Sequence, residues 1–275
     1  MKAAAFDYAR PRTLDEAIAL LVDGNGAAKV LSGGQSLGPM LNLRLARPRL
    51  LVDISRLPEL RRMHEADGHW EIGGGVTHAE IEDAGARLRG AEVLARVAGG
   101  IAYRSVRNRG TIGGSVAHAD PAGDWLVVLA SLGASIRARG PTGERDVPAD
   151  RVMKAAFTTE LSDNEIIATV RVPKLASAVR FGYFKFCRKG GEFPEASAAV
   201  LLDPERRSAR VFLGALEGAP LPLPELAQAL IQKGAAAATE TAAIEAVRGI
   251  GEFDAPELRM RAAVLRRALG QAFPQ

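Results

Sequence analysis

The spacing of apolar and polar residues in the N-terminal part of the chain predicts short helices that alternate with short strands. The Thr-x-x-Glu pattern at 13–16 has the form of a helix-capping box and is followed by apolar residues at helical spacing. Two apolar runs, 28–31 and 50–54, have the length of buried strands, and 37–45 between them can be helical. This order predicts a βαβ-like lobe, with the Gly33-Gly34 turn at the carboxyl end of a strand, where open α/β sheets bind ligands.

The middle of the chain shows the shorter periods of an antiparallel sheet. Strand-like runs at 62–65 and 69–72 flank Asp67-Gly68, a dipeptide that strongly favours a tight hairpin. The unbroken apolar run at 125–130 predicts a buried helix. Further strands are predicted at 135–139, 145–148 and 165–172.

The character of the sequence changes from about Val179. Three consecutive strand-like runs predict a small antiparallel sheet, at 179–186, 195–202 and 210–216. A stiff linker is predicted at Pro220, Pro222 and Pro224. Helices follow at 226–233, 241–248 and 256–272. We therefore predict an α+β protein with a first lobe (1–56), a second lobe (57–175) and a C-terminal domain (176–275) that combines a three-stranded antiparallel sheet with a helical bundle.

Composition and charge are those of an ordinary globular protein. The chain has 275 residues, which is long for a single core, and 47% of them are hydrophobic and 25% charged. The net charge of +4 comes from scattered basic residues, so we predict no nucleic-acid surface. No apolar stretch reaches the roughly 18 residues of a membrane span, and a cytoplasmic location is expected.

Cys187 is the only cysteine of the chain. A single cysteine excludes an internal disulfide, and it excludes an iron–sulfur cluster held by this chain alone, because such clusters normally take four protein ligands. No group of His, Cys and carboxylate residues has the spacing of a metal site, and we identify no catalytic residue. His64, His69 and His78 are expected to be surface or capping residues.

Two glycine-rich stretches carry the candidate chemistry. The first is Leu31–Leu37, Leu-Ser-Gly-Gly-Gln-Ser-Leu, and the second is 107–124, which contains Gly110, Gly113 and Gly114. Peptide N–H groups that no side chain covers allow an anion to approach the main chain closely. The Ser, Thr and Asp residues of the same stretches suit the hydroxyls of a sugar or polyol. Together the two stretches indicate a ligand with two phosphates and a polar chain.

Each of these features also has a purely structural interpretation. A lone glycine pair is most often just a tight turn. Gly73-Gly74-Gly75 resembles half of a dinucleotide-binding fingerprint, but His78 occupies the third glycine position, so a tight strand exit is the preferred interpretation. Asp120 and Asp124 have the spacing of an acid/base pair at a helix start, although helix capping and hydroxyl binding are simpler roles.

The glycine stretches resemble those of the FAD-binding medium subunits of molybdenum hydroxylases, a family that includes carbon monoxide and xanthine dehydrogenases. The resemblance is carried by Ser32-Gly33-Gly34-Gln35-Ser36-Leu37 with Pro39-Met40 and Arg44, by Arg107-Asn108-Arg109-Gly110-Thr111-Ile112-Gly113-Gly114, and by Asp120-Pro121 with Asp124. It spans nearly the whole chain. It implies a two-lobed FAD-binding domain of the vanillyl-alcohol-oxidase (PCMH) type, followed by a C-terminal domain that closes over the flavin.

The resemblance also implies which residues contact FAD. Amides of the first stretch would hold the pyrophosphate, and residues of the second stretch would complete the pyrophosphate site. Asp124 would form hydrogen bonds with the ribityl hydroxyls. Ile101 and Ile167 would line the adenine, Lys185 would lie near the isoalloxazine, and His118 is a further candidate. The full set of expected contacts is Leu31, Ser32, Gly33, Gly34, Gln35, Ser36, Leu37, Ile101, Thr111, Gly113, Gly114, Ser115, His118, Asp120, Asp124, Ile167 and Lys185.

The function implied by the resemblance is electron transfer. Substrate would be hydroxylated at a molybdopterin cofactor in a large partner subunit, and two-iron two-sulfur clusters of a small partner subunit would pass the electrons to FAD in this chain. FAD would hand them to an external acceptor, and the implied assembly is a dimer of heterotrimers. Two alternatives stay open: a stand-alone FAD-dependent oxidase or dehydrogenase, and a flavin-free scaffold subunit of the same fold.

Overall fold

A three-stranded parallel sheet forms the first lobe of the protein, whose computed structural model describes residues 2–273. The elements of this lobe are β1 (Asp7–Ala9), α1 (Leu14–Asp23), β2 (Ala28–Leu31), α2 (Leu37–Asn42) and β3 (Leu50–Asp53). The strand order is β1-β3-β2, and the parallel pairing of β2 with β3 around α2 confirms the predicted βαβ unit. The predictions missed β1, and α2 ends earlier than expected.

The second lobe is built on a five-stranded antiparallel sheet. Its elements are β4 (Met63–Ala66), β5 (His69–Gly73), α3 (His78–Ala84), α4 (Val93–Gly99), α5 (Arg104–Arg107), α6 (Ile112–His118), α7 (Asp124–Leu132), β6 (Ser135–Gly140), β7 (Gly143–Pro148), β8 (Met153–Ala155), β9 (Thr158–Thr159) and β10 (Ile166–Pro173). The strand order is β4-β5-β10-β6-β7, while β8 and β9 pair separately. Asp67 and Gly68 have φ angles of 46° and 75°, as the predicted hairpin turn requires.

Strand β10 joins the cores of the two lobes. Ile166 and Ala168 point into the core of the first lobe, whereas Ile167, Val170 and Val172 point into that of the second. A register shift between 167 and 169 makes this possible, because the extra residue returns the following side chains to the face that Ile167 occupies. One strand therefore fixes the orientation of the first lobe relative to the second.

The C-terminal part is a four-stranded antiparallel sheet covered by helices. Its elements are β11 (Arg180–Phe186), β12 (Ala196–Asp203), β13 (Ser208–Gly214), β14 (Leu221–Pro222), α8 (Pro224–Lys233), α9 (Glu240–Arg248) and α10 (Ala255–Ala272). The strand order follows the sequence, so the sheet has one strand more than the three that the sequence predicted. The extra strand lies in the proline stretch predicted to be a linker, because Leu221 and Pro222 pair with β13 at the sheet edge, where proline is tolerated.

Helix α7 lies between the second lobe and the C-terminal sheet. Every residue of α7 is buried, as its unbroken apolar run predicts, and the helix contacts β10 on one side and β12 and β13 on the other. Its first residue, Asp124, is therefore held at the junction of the two parts. Across residues 2–273 no helix is long and apolar enough to cross a membrane, and no three His, Cys, Asp or Glu side chains converge as metal ligands would.

Candidate functional site

The two glycine-rich stretches lie against each other. Ser32 Oγ is 3.0 Å from Thr111 Oγ1, across a sequence separation of 79 residues. A Cβ atom on Gly33 would overlap the carbonyl group of Arg109, so only glycine permits this approach of the two backbones. The carboxyl end of β2 and the start of α6 therefore form one continuous patch of main chain.

The first stretch presents a row of free backbone donors. Within residues 2–273, the amides of Gly33, Gly34, Gln35 and Ser36 donate no hydrogen bond. Gly34 has a φ of +70°, and the Gln35 side-chain amide donates to the carbonyl of Gly33 at 3.1 Å, which fixes the turn. Consecutive free N–H groups in a fixed turn suit an anion with several oxygens, such as a pyrophosphate.

The second stretch contains a helix that the sequence analysis did not predict. Residues 112–118 form α6, because Thr111 caps its amino end and Ile112 and Val116 are buried against the sheet. The amide of Gly113 donates to the Gly74 carbonyl, and the amide of Gly114 donates to Thr111 Oγ1, each at 3.0 Å. Two expected pyrophosphate donors thus already have acceptors, whereas the Thr111 amide has none in the described chain.

At the triple glycine, 73–75, the backbone packs closely against the backbone of other segments. A Cβ on Gly74 would overlap the carbonyl oxygen of Ile167, and a Cβ on Gly113 would lie 2.6 Å from the Gly74 carbonyl oxygen. This close packing agrees with the tight strand exit predicted for the triple glycine. It also gives Gly113 a structural role, since it lets the start of α6 approach the end of β5.

Asp124 and Lys185 meet, and Tyr183 joins them. Asp124 Oδ1 accepts hydrogen bonds from the Tyr183 hydroxyl and from the Lys185 ammonium group, both at 2.7 Å. Asp124 is buried, and Tyr183 and Lys185 reach it from the same face of β11. Burial in the first place, and the Asp124 carboxylate in the second, raise the pKa of Tyr183 well above its ordinary value, so the hydroxyl stays a donor.

Sequence reasoning missed Tyr183, although one signal could have found it. The alternation of β11 places Phe181, Tyr183 and Lys185 on one face, and two of these three residues are polar at positions where a buried strand face would be apolar. A polar pair on a buried face requires a partner. That partner is the carboxylate at the start of α7, 59 residues before Tyr183 in the sequence.

The adenine-lining candidates belong to the second lobe's core. Ile167 is a buried residue of this core, and the half-buried Ile101 packs against the core. The Ile101 carbonyl accepts a hydrogen bond from Arg107, which fixes the turn between α4 and α5. Leu31 and Leu37, the two ends of the first stretch, are half-buried, as is Ser115 on α6.

A cleft of about 710 Å³ opens between the second lobe and the C-terminal domain. Its lining includes Asp120, Phe157 and Arg261, but no residue of 31–37. The ring of His118 lies 5.2 Å from that of Phe157, and burial lowers the pKa of His118 although Asp120 opposes the shift. Asp120 accepts from the Ala122 amide at 3.0 Å, which is a turn-capping contact. The cleft is therefore separate from the free amides.

His78 contradicts the expectation of a surface or capping histidine. It is the first residue of α3, behind a complete Thr77–Glu80 capping box, yet it is 4% exposed. Trp125 Nε1 donates to His78 Nδ1 at 3.2 Å. Burial, and to a smaller extent the charge of Arg107, lower the pKa of His78 to about 4. The ring is therefore neutral and holds α3 against α7.

Comparison with known proteins gives the same assignment for most of the chain. Residues 4–175 match the family described as the FAD binding domain in molybdopterin dehydrogenase. The alpha subunit of the 6-hydroxypseudooxynicotine dehydrogenase complex of Paenarthrobacter nicotinovorans is 37% identical over 220 residues, which is 79% of this chain and 74% of that subunit. The carbon monoxide dehydrogenase medium chain of Hydrogenophaga pseudoflava is 38% identical over 197 residues, or 72% of this chain and 69% of that one.

A solved structure extends the similarity to the C-terminal domain. The chain matches the crystal structure of quinoline 2-oxidoreductase from Pseudomonas putida 86 with a TM-score of 0.89 and 31% sequence identity. The match covers 99% of this chain and 98% of the other. The similarity in structure therefore includes all three parts of the protein, and not only the part that carries the glycine stretches.

Proposed function

The chain belongs to the family of FAD-binding domains of molybdopterin dehydrogenases, and on that premise we propose how it holds FAD and where its electrons come from. It is the FAD-carrying medium subunit of a molybdenum hydroxylase and hence part of an oxidoreductase. The proposal rests above all on the four free amides at 33–36, which provide donors for a pyrophosphate without burying an unpaired charge.

The pyrophosphate is held by the amides of 33–36, with the Thr111 amide as a further donor. Gly113 and Gly114 support this site indirectly, since their amides are already bonded within the protein. Ser32 contributes by its contact with Thr111, and Ser115 by a half-buried hydroxyl on α6. Ile101 and Ile167 flank the adenine.

The ribityl chain lies near Asp124 and the isoalloxazine near Lys185. Because Asp124 Oδ1 already accepts from Tyr183 and Lys185, the Oδ2 atom is left for a ribityl hydroxyl. The ammonium group of Lys185 supplies a positive charge at the junction of the two parts, and a charge near a flavin tunes its electronics. Bound FAD supplies the capacity to accept and release electrons, while the protein residues bind and orient it.

We take the arrangement of the two lobes and the C-terminal domain from the family resemblance. We propose the two-lobed arrangement of the vanillyl-alcohol-oxidase type for the first two lobes, 1–56 and 57–175, and a closing role for 176–275. The contact of Asp124 with β11 supports the closing role, because it ties the C-terminal sheet to the helix that begins beside the second glycine stretch.

The complete enzyme contains two partners. A large subunit carries the molybdopterin cofactor, and a small subunit carries two-iron two-sulfur clusters that deliver electrons to this chain. The single cysteine supports this division, because the chain alone cannot supply four cysteine ligands to a cluster. The dimer of heterotrimers, the external acceptor and the cytoplasmic location remain predictions.

Affinity purification of the tagged full chain from its native host tests the proposal. We expect about one FAD per chain in the visible spectrum, with molybdenum and iron in the same fraction by elemental analysis. A flavin-loaded chain without either metal would instead indicate a stand-alone flavoenzyme. Metals without flavin, even after incubation with FAD, would indicate a scaffold subunit.

A further inference from the structure

The segment after α2 exposes two leucines and three arginines. Leu43 and Leu45 are 52% and 72% exposed, and Leu45 is the most exposed large hydrophobic residue of the described chain. Single exposed leucines are ordinary, but two at i, i+2 within one short segment form a small apolar patch. We call residues 42–49 the leucine–arginine segment.

The exposure of this segment is built into the fold. Arg44 has a φ of +58°, a left-handed conformation that a non-glycine residue adopts only when its surroundings impose it. The amide of Leu45 donates to the Met40 carbonyl at 2.8 Å, and Arg44 Nε donates to the Lys2 carbonyl at 3.1 Å. Arg47 Nε in turn donates to the Arg44 carbonyl at 3.0 Å. The segment is therefore a fixed projection and not a frayed loop.

The segment is also uniformly positive. No Asp or Glu occurs from Gly24 to Val52, whereas Lys29, Arg44, Arg47 and Arg49 do. Within residues 2–273, the three arginines form no salt bridge, although most of the basic residues around the second-lobe sheet are paired. Exposed apolar side chains surrounded by unpaired arginines match the composition of protein interfaces, which are rich in Arg and depleted in acidic residues.

We propose that the leucine–arginine segment is the docking surface for the iron–sulfur subunit, which would cover Leu43 and Leu45 and present carboxylates to the arginines. The inference rests on the proposed function and adds the location of the contact. The segment begins where α2 ends, and α2 begins directly after the free amides of 33–36. A six-residue helix spans about 9 Å, so a subunit bound here lies close to the amides that hold the FAD pyrophosphate. Of the two proposed partners, the iron–sulfur subunit is the one that must approach the bound FAD.

Charge and apolar variants of the assembled complex test the inference. Leu45→Glu and Arg49→Glu would be introduced separately into the tagged chain, since neither side chain has a hydrogen-bond partner in the described structure. Val22→Glu is the matched control, because Val22 is also exposed and apolar but lies on α1. The readouts are iron, molybdenum and FAD per tagged chain and the melting temperature of each purified complex.

We expect both segment variants to retain roughly one tenth or less of the iron that co-purifies with wild type. Such a loss requires the binding free energy of the iron–sulfur subunit to weaken by about 1.4 kcal/mol or more. FAD content and melting temperature of the tagged chain should stay near wild type, and Val22→Glu should retain its iron. The difference between Arg49→Glu and wild type should shrink when purification is done at higher salt, because salt screens both the arginine contacts of wild type and the repulsion that the variant introduces.

Three results would overturn the inference. Wild-type iron in both variants would show that the segment is not the contact, and loss of molybdenum with iron retained would assign it to the large subunit. Loss of FAD with a lower melting temperature would show that the segment supports the lobe itself. An iron-free wild-type complex is a different outcome, since it contradicts the proposed function and not only the docking surface.

Discussion

The absence of a side chain at Gly33 allows the two glycine stretches to touch. Gly33→Ala places a Cβ on the Arg109 carbonyl, so we expect the stretches to separate and the affinity for FAD to fall roughly tenfold or more. Fluorescence titration of the deflavinated protein with FAD measures this change. Gly38→Ala is the control, because nothing lies within 4 Å of its Cβ and alanine suits a helix. Equal affinities in both variants would contradict the packing argument.

His78 makes stability depend on pH. Its folded-state pKa of about 4 lies below the ordinary value of 6.5, so its contribution is complete above pH 6.5 and is lost as the pH falls towards 4. Between pH 7 and 5 we expect a loss of about 2 kcal/mol in the free energy of unfolding. Urea unfolding of wild type and His78→Gln at both pH values isolates this residue. The same pH dependence in both proteins would exclude the effect.

At the residue scale, the sequence predicted which residue types form the site better than it predicted the contacts between those residues. The glycine pairs and the hydroxyl residues beside them were found, because exposed amides need glycine locally. The burial of His78 and the partner of Asp124 were not found, because each depends on a residue tens of positions away, Trp125 for one and Tyr183 for the other. The Gly113 amide was assigned to a ligand because its acceptor, the Gly74 carbonyl, lies far away in the sequence. The acceptor of the Gly114 amide is local, since Thr111 caps the helix that the sequence analysis did not predict.

Helix α6 depends on its cap. In Thr111→Ala the hydroxyl that accepts from the Gly114 amide and contacts Ser32 is lost, and we expect the free energy of unfolding to fall by about 0.5–2 kcal/mol. Thr111→Ser keeps both contacts and should remain close to wild type. Chemical denaturation of the three proteins provides the comparison. A serine variant as unstable as the alanine variant would assign the effect to the methyl group.

The junction between α7 and β11 depends on one carboxylate. Lys185→Met leaves the buried Asp124 with the Tyr183 hydroxyl alone, and breaking a buried ion pair in this way costs about 3–5 kcal/mol. Tyr183→Phe leaves the ion pair in place and should cost about 1–3 kcal/mol. We expect this order in urea unfolding. The reverse order, or no effect of Lys185→Met, would show that the carboxylate does not depend on the lysine.

At the element scale, elements with a clear period were predicted and short ones were not. The strands of the five-stranded sheet in the second lobe and the buried helix α7 follow from alternation and from an unbroken apolar run. The strands β1, β8 and β14 have three residues or fewer and carry no period. Helix α6 was not predicted, because two of its residues are glycines, although Thr111 and buried Ile112 and Val116 stabilise it.

At the scale of the whole molecule, the site is assembled by packing between parts. The register shift in β10 connects the cores of both lobes, and the Asp124 contacts connect the second lobe to the C-terminal sheet. Local sequence patterns identify each part but contain no information on these contacts. The resemblance carried by the glycine stretches predicted the family, and comparison over the full length confirms it.

Hydrogen exchange of the FAD-loaded and deflavinated complexes, followed by mass spectrometry, tests the central claim most directly. The account places the pyrophosphate on the free amides of 33–36 and assigns the amides of Gly113 and Gly114 to acceptors within the protein. We therefore expect FAD to slow exchange in peptides that contain 33–36 much more than in peptides that contain 113–114. Unchanged exchange at 33–36, or protection confined to 113–114, would contradict it.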